Sequence, residues 1–130
     1  MKRYLLDTHT LLWMDTEPEK LGKHGRRIIC SRSTTLFISA ISIYELSQKA
    51  RKGKLAKAQP FLQNVGQNIQ AYGMSMIDVN AVHAQQAGAL DWNHQDPFDR
   101  ILAAQAIVEK LVLITTDSSF LTLPGLTTLW

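Results

Sequence analysis

The chain has one cysteine, Cys30, among 130 residues. That excludes an intrachain disulfide and any cysteine-rich zinc site. Within Ile28-Ile29-Cys30 the thiol is expected at a buried apolar position rather than as a reactive group. No uninterrupted apolar run approaches the ~20 residues of a membrane span. The basic stretch Met1-Lys2-Arg3 meets Asp7 after three apolar residues, so a secretory signal is not expected. Neither sign of charge is in large excess. Fourteen Lys+Arg against 11 Asp+Glu give a net charge of +3 and a pI of about 9.2, which permits an anionic partner without requiring one. The four histidines, His9, His24, His83 and His94, show no H-E-x-x-H spacing, so a histidine zinc site is not expected. Repeats, low-complexity segments and linkers are absent. These features lead us to expect a cytoplasmic protein of a reducing compartment with no membrane association.

What is there is ordinary globular material. The sequence is 45% hydrophobic and 19% charged, and its length suits one domain, residues 1–130, with a real core. Tyr4 to Leu6 read as a buried strand ending at Asp7, and Leu11, Leu12 and Trp13 suit a short helix that Glu17-Pro18-Glu19 interrupts. A helix is expected over Lys23 to Cys30 and a strand over Leu36-Phe37-Ile38. Ser42 to about Lys52 has helical spacing and stops at Gly53. Pro60 to Tyr72 reads as a helix stopped by Gly73, Met74 to Ile77 as a strand, and Ala81 to Leu90 as a helix. Asp96-Pro97 is a helix start, an N-cap acid followed by proline at the first helical position. Phe98, Ile101, Leu102, Gln105 and Val108 follow on one face. Leu111 to Thr115 is a β-branched apolar strand, and Leu126 to Leu129 a short final one. Strands alternating with helices predict an α/β fold whose sheet, of four to five mainly parallel strands, is covered on both faces.

Asp7 and Asp117 each follow a strand directly, and Glu45 and Asp99 fall in the first turns of expected helices. Ligands of open α/β sheets bind beyond the carboxyl ends of the strands, where the strand order reverses, so the four carboxylates can meet there. Clustered ionised carboxylates repel one another, and burial strengthens the repulsion. A hard divalent cation offsets it, and Mg2+ or Mn2+ suits an all-oxygen site. The chemistry that fits is metal-assisted phosphodiester hydrolysis. Each acid also has a plainer reading: Asp7 as a helix cap, Glu45 in the capping box Ser42-x-x-Glu45 or paired with Lys49, Asp99 as a complement to the helix dipole, and Asp117 as the start of a turn.

Taken together, four segments resemble the PIN-domain ribonucleases, especially the VapC toxins of bacterial toxin–antitoxin pairs. They are Leu5-Leu6-Asp7-Thr8-His9; Ile41 to Leu46 with the Lys49, Gly53-Lys54-Leu55 tail; Asp96 to Ala106; and Leu113 to Asp117. The resemblance implies a sheet flanked by helices in three layers and an Mg2+-dependent endoribonuclease, Mn2+ substituting, with Asp7, Glu45, Asp99 and Asp117 as metal-binding and catalytic acids. It makes Asp7 and Asp99 the principal pair, with Glu45 and Asp117 orienting water or holding a second cation. It also implies a homodimer and inhibition by a small VapB-like antitoxin. Thr8 and Thr116 resemble supporting neighbours of the first and last acids. Asp96 is read first as an N-cap and second as a ligand. Ala103 and Ala106, below Asp99 on its helix, are expected to let that helix approach the sheet. The basic run Lys49, Arg51, Lys52, Lys54, Lys57 is the candidate RNA-backbone contact, against the plainer reading of a solvated helix end, and Arg100 is read as touching phosphate or pairing with an acid. Trp13 and Trp92 read first as core or interface residues rather than base-stacking platforms, with an antitoxin-facing role open as well. His94, in the polar loop Asp91 to Gln95, is expected near the pocket rim. The alternative functions are a receiver-like module or a catalytically inactive PIN-like protein whose acidic pocket only binds. A receiver wants paired acids after its first strand, where Thr8 stands. A phosphatase beginning Asp-x-Asp is disfavoured because His9 occupies the second acid's place.

Overall fold

The computed structural model describes residues 2–130. Five strands form one fully parallel sheet in the order β3-β2-β1-β4-β5. They are β1 (Lys2–Leu6), β2 (Thr34–Ser39), β3 (Ser75–Ile77), β4 (Val112–Ile114) and β5 (Thr128–Leu129). Seven α-helices among the described residues flank it: α1 (Thr8–Thr16), α2 (Lys23–Cys30), α3 (Ala40–Arg51), α4 (Gln59–Gln63), α5 (Val65–Ala71), α6 (Ala81–Ala89) and α7 (Pro97–Glu109). None of these helices is long and apolar enough to cross a membrane.

Strand alternation builds the three layers. In β1, Tyr4 and Leu6 enter a cluster with Leu11, Leu12, Leu46, Phe61 and Ile69 from α1, α3, α4 and α5. Leu5 points the other way, to Leu102, Ala103 and Ala106 of α7 and to Trp92 and Phe120. A parallel sheet covered on both faces needs apolar residues at successive positions, which is why Tyr4-Leu5-Leu6 is an unbroken apolar run. Strand β1 is central, with β2 on one side and β4 on the other. The strand order therefore reverses between β1 and β4, and the crevice beyond their carboxyl ends is the ligand-binding position of open α/β sheets.

Most expected elements are present, and the departures have local causes. The expected Pro60–Tyr72 helix is divided at Asn64, whose φ −142°, ψ 57° is not helical. The Asn68 side-chain amide donates to the Phe61 carbonyl at 3.0 Å, satisfying an acceptor near the break. Helix α3 starts two residues before Ser42. Ser39, the last residue of β2, is its N-cap and accepts from Ile41 N. The capping box Ser42-x-x-Glu45 is therefore not formed, and Glu45 lies in the second turn rather than the first. Gly53 at φ 77° ends α3 and Gly73 at φ 70° follows α5, as glycine's access to the left-handed region allows. Cys30 is exposed, contrary to expectation, because Ile28 and Ile29 supply the core contacts at the end of α2.

Arg100 also differs from its expected role. Its guanidinium donates to the carbonyls of Ala87, Leu90, Trp92 and His94 at 2.7–3.0 Å. Those bonds tie the loop between α6 and α7 to α7, and they leave the RNA-contact reading of Arg100 without support. A lysine ammonium cannot fork to four carbonyls as the planar guanidinium does. Arg100→Lys is therefore expected to destabilise the fold by about 2–3 kcal/mol, read from a chemical denaturation midpoint at unchanged m-value.

Candidate active site

The end of β1 supplies the first carboxylate. Asp7 caps α1, its Oδ1 accepting from Thr8 N at 2.7 Å, while its own N–H donates to Ile114 O at the end of β4. Its Oδ2 accepts from Thr115 Oγ1 at 2.7 Å, so the side chain is fixed by both strands that border the reversal point. It is buried, and burial raises its pKa even though Thr115, His9 and Thr8 all favour the ionised form; the Glu45 charge adds to the rise.

Glu45 reaches the same place from α3, which packs on both α1 and α7. It is 4% exposed. Oε2 accepts from Lys49 Nζ at 2.6 Å, one helical turn on. Oε1 is buried with no hydrogen-bond partner among the described residues. Thr8 Oγ1 donates to Ser42 Oγ at 2.9 Å, a buried contact that joins α1 to α3 just below the two acids.

Asp99 arrives on the first turn of α7. Ala103 and Ala106 are buried against Leu5 and Leu113, so the helix lies close to the sheet, as their small side chains predict. Asp96 is the N-cap, accepting from Phe98 N and Asp99 N with Pro97 at the first position, and this is its observed role. Asp99 Oδ2 lies 2.7 Å from His94 Nε2. Burial pushes the Asp99 carboxyl up to about 6, the charges of Asp96 and Asp7 add to the rise, and His94 opposes it. The Glu45 charge acts on Asp7 and the Asp7 charge acts on Asp99, so these three carboxylates, which follow β1 or sit on α3 and α7, lie within electrostatic reach of one another.

Asp117 stands at the rim. It is exposed and caps the 3-10 turn Ser118–Thr122 through Ser119 N. Its backbone N–H donates to Thr115 Oγ1 at 3.0 Å. The Thr115 hydroxyl thus bridges Asp117 to Asp7. The supporting hydroxyl after β4 is Thr115, and Thr116 is exposed. The doublet Thr115-Thr116 hid this, although the two-residue period of extended chain puts Thr115, and not Thr116, on the side of Asp117. The contact of Ser42 with Thr8 was not foreseen, and His94, expected only near the pocket rim, meets Asp99 directly.

The basic run is divided by the fold. Lys49 is engaged by Glu45, and Lys57 pairs with Glu17 at 2.7 Å. Arg51, Lys52 and Lys54 are exposed. Trp92 is buried, its Nε1 donating to Thr122 Oγ1, and is a core residue.

The donor set fits a divalent cation. Asp7 has only neutral hydrogen-bond donors, one Glu45 oxygen is buried and unpartnered, and Asp99 is desolvated beside another acid. One ligand atom from each of His94, Asp96 and Asp99 also lies within 4.8 Å of the others, in an arrangement that can hold a metal ion. Removing the Thr115 hydroxyl in Thr115→Val leaves Asp7 Oδ2 without its donor. Metal affinity is expected to fall roughly 10- to 100-fold, measured by Mn2+ titration calorimetry.

A parallel three-layer α/β fold with carboxylates near its reversal point is an arrangement that can hold a divalent cation. Residues 4–126 match the PIN domain family profile, and the chain belongs to that family. It is 28% identical to Ribonuclease VapC22 of Mycobacterium tuberculosis over 120 residues, spanning 90% of this chain and 88% of that protein. Similar solved structures are toxin–antitoxin complexes. DNA-bound VapBC from Salmonella typhimurium matches with TM-score 0.73 at 23% identity, over 99% of this chain and 98% of that one. VapBC-5 from Mycobacterium tuberculosis matches with TM-score 0.66 at 15% identity, over 99% and 98%.

Proposed function

We propose that this PIN domain, taken as one unit over residues 1–130, is an Mg2+-dependent endoribonuclease and the toxin of a VapBC-type pair. The observation that carries the reading is the electrostatic coupling of buried Asp7 to Glu45 and to half-buried Asp99, with one buried Glu45 oxygen left without a partner. Asp7 and Asp99 are the principal metal ligands, Glu45 and Asp117 complete the catalytic acids, and Mn2+ substitutes for Mg2+. When bound, the cation polarises the scissile phosphodiester and lowers the pKa of a water. The residues of this chain supply the rest. Thr115 and the Thr8 N–H hold the Asp7 carboxylate in one orientation. Lys49 holds one Glu45 oxygen and leaves the other buried without a partner. Asp117, at the rim, is placed to orient water entering from solvent.

The substrate is single-stranded RNA, with Lys52, Lys54 and Arg51 as exposed cations for its backbone. The likeness to Ribonuclease VapC22 and to the VapBC complexes supports both the activity and a VapB-like antitoxin partner. A homodimer acting in the cytoplasm completes the reading. Purified protein is expected to cut single-stranded RNA with Mg2+ or Mn2+ and to stop when EDTA is added. Full activity after complete chelation removes the metal from the mechanism, and metal binding without any cleavage reduces the protein to an inactive binding module.

A further inference from the structure

A cavity at the carboxyl ends of β4 and β5 borders the carboxylate site through Thr115. It holds about 310 Å³, and Thr115, Thr116, Asp117, Leu121 and Trp130 are among the residues that line it. Thr115 and Asp117 belong to both: one hydroxyl donates to Asp7 from the wall of this cavity. Anything seated there adjoins the group held by the acids.

The lining restricts the occupant. Its side chains include no lysine or arginine, and the one charged side chain among them is the acid Asp117, so a phosphate is disfavoured. An uncharged group with a flat apolar face and a polar edge fits the indole, the leucine and the threonine hydroxyls. Leu121 is 72% exposed and gives the cavity an apolar wall at the surface. Trp130 is closely packed. Its ring meets Trp13 edge-on at 5.9 Å, and it rests on Gly22, where an added Cβ would overlap Cδ1 and lie 2.7 Å from both Cγ and the Trp130 backbone carbonyl carbon. A fixed aromatic beside a phosphodiester site is how proteins bind an unstacked base of single-stranded nucleic acid.

We infer that this cavity is a nucleobase subsite, receiving a base that flanks the scissile phosphate and contributing to the choice of cleavage position. The inference rests on the ribonuclease reading above and adds a residue-level account of where substrate selection occurs.

Short single-stranded RNAs cut at one position are compared with the same RNAs carrying an abasic ribose on either side of the cut, with Mn2+ present. In the wild type, loss of one flanking base is expected to lower kcat/KM by roughly 5- to 100-fold. Two variants remove the subsite without touching the acids. Leu121→Ala removes its exposed wall. Gly22→Ala displaces Trp130, at a φ of −67° that alanine adopts without strain. Both are expected to lose rate on intact RNA by a similar factor and to show almost no further abasic penalty, with Mn2+ affinity unchanged by calorimetry. A wild type that cuts RNA but ignores both abasic replacements overturns the subsite alone. So do variants that keep the full abasic penalty. Variants that cut intact RNA normally but lose a co-expressed antitoxin assign the surface to a protein contact and likewise overturn it. A wild type that cuts no RNA overturns the ribonuclease reading itself.

Discussion

Asp7→Asn and Asp99→Asn each reduce RNA cleavage by roughly 10³-fold or more while the protein remains folded. A bound cation supplies several kcal/mol of transition-state charge stabilisation, and each 1.36 kcal/mol is tenfold in rate. Removing a principal carboxylate forfeits most of it. The fold survives for local reasons. Asparagine caps helices as well as aspartate does, so at position 7 its carbonyl still accepts from Thr8 N. Its amide then faces Thr115, whose hydroxyl accepts as readily as it donates. At position 99 the change removes a desolvated charge beside Asp96 and Asp7, and Asp96 continues to cap α7. Circular dichroism and thermal unfolding confirm folding, and a gel-based cleavage assay gives the rate. A folded Asp7→Asn with wild-type cleavage removes this carboxylate from the chemistry.

The metal-free protein becomes less stable as pH rises from about 4 to beyond 6, and Mn2+ restores what is lost. In the fold Asp99 holds its proton up to about 6, against 3.8 for an ordinary aspartate. Between those values the native state binds more protons than the unfolded chain, so its stability falls with rising pH. Asp7, also raised by burial, acts in the same direction. Glu17, lowered by Lys57 and Lys20, acts in the opposite one. The decisive measurement is therefore a comparison, in which the fall is expected to be smaller in Asp99→Asn than in wild type. Metal ligation requires ionised carboxylates, so Mn2+ stabilisation grows through the same window. At a hundred times Kd it amounts to about 2.7 kcal/mol, or on the order of 10 °C in Tm for a chain of this size. Equal Mn2+ stabilisation at pH 5 and pH 8 would contradict the assignment of these acids as its ligands.

The two expectations share one cause, the confinement of like charges where water is scarce. The same confinement explains why the neighbouring polar groups are arranged as they are. Thr115 and Thr8 N–H fix Asp7 without neutralising it, and Lys49 answers only one Glu45 oxygen. Full neutralisation by protein cations would stabilise the apo fold and leave nothing for a dication to gain.

The sequence alone determined the alternation of strands and helices, the placement of Asp7 and Asp117 after strands, and the capped start of α7 at Asp96-Pro97. These are local matters of apolar run length, proline geometry and cap chemistry, which act within a few residues. The small faces of Ala103 and Ala106 were legible for the same reason. Tertiary structure alone decided how the polar side chains are used. Arg100 looked free for phosphate and is tied to four backbone carbonyls of α6 and the loop after it; Ser42 looked like a cap and instead meets Thr8 across the layer. Thr115 rather than Thr116 reaches Asp7, His94 meets Asp99, and Cys30 faces solvent. A polar group's partner is set by which distant segment packs against it, and in this chain those partners lie as far as 108 residues away. Periodicity reports which face a residue occupies, and only the assembled sheet brings that face to its neighbour.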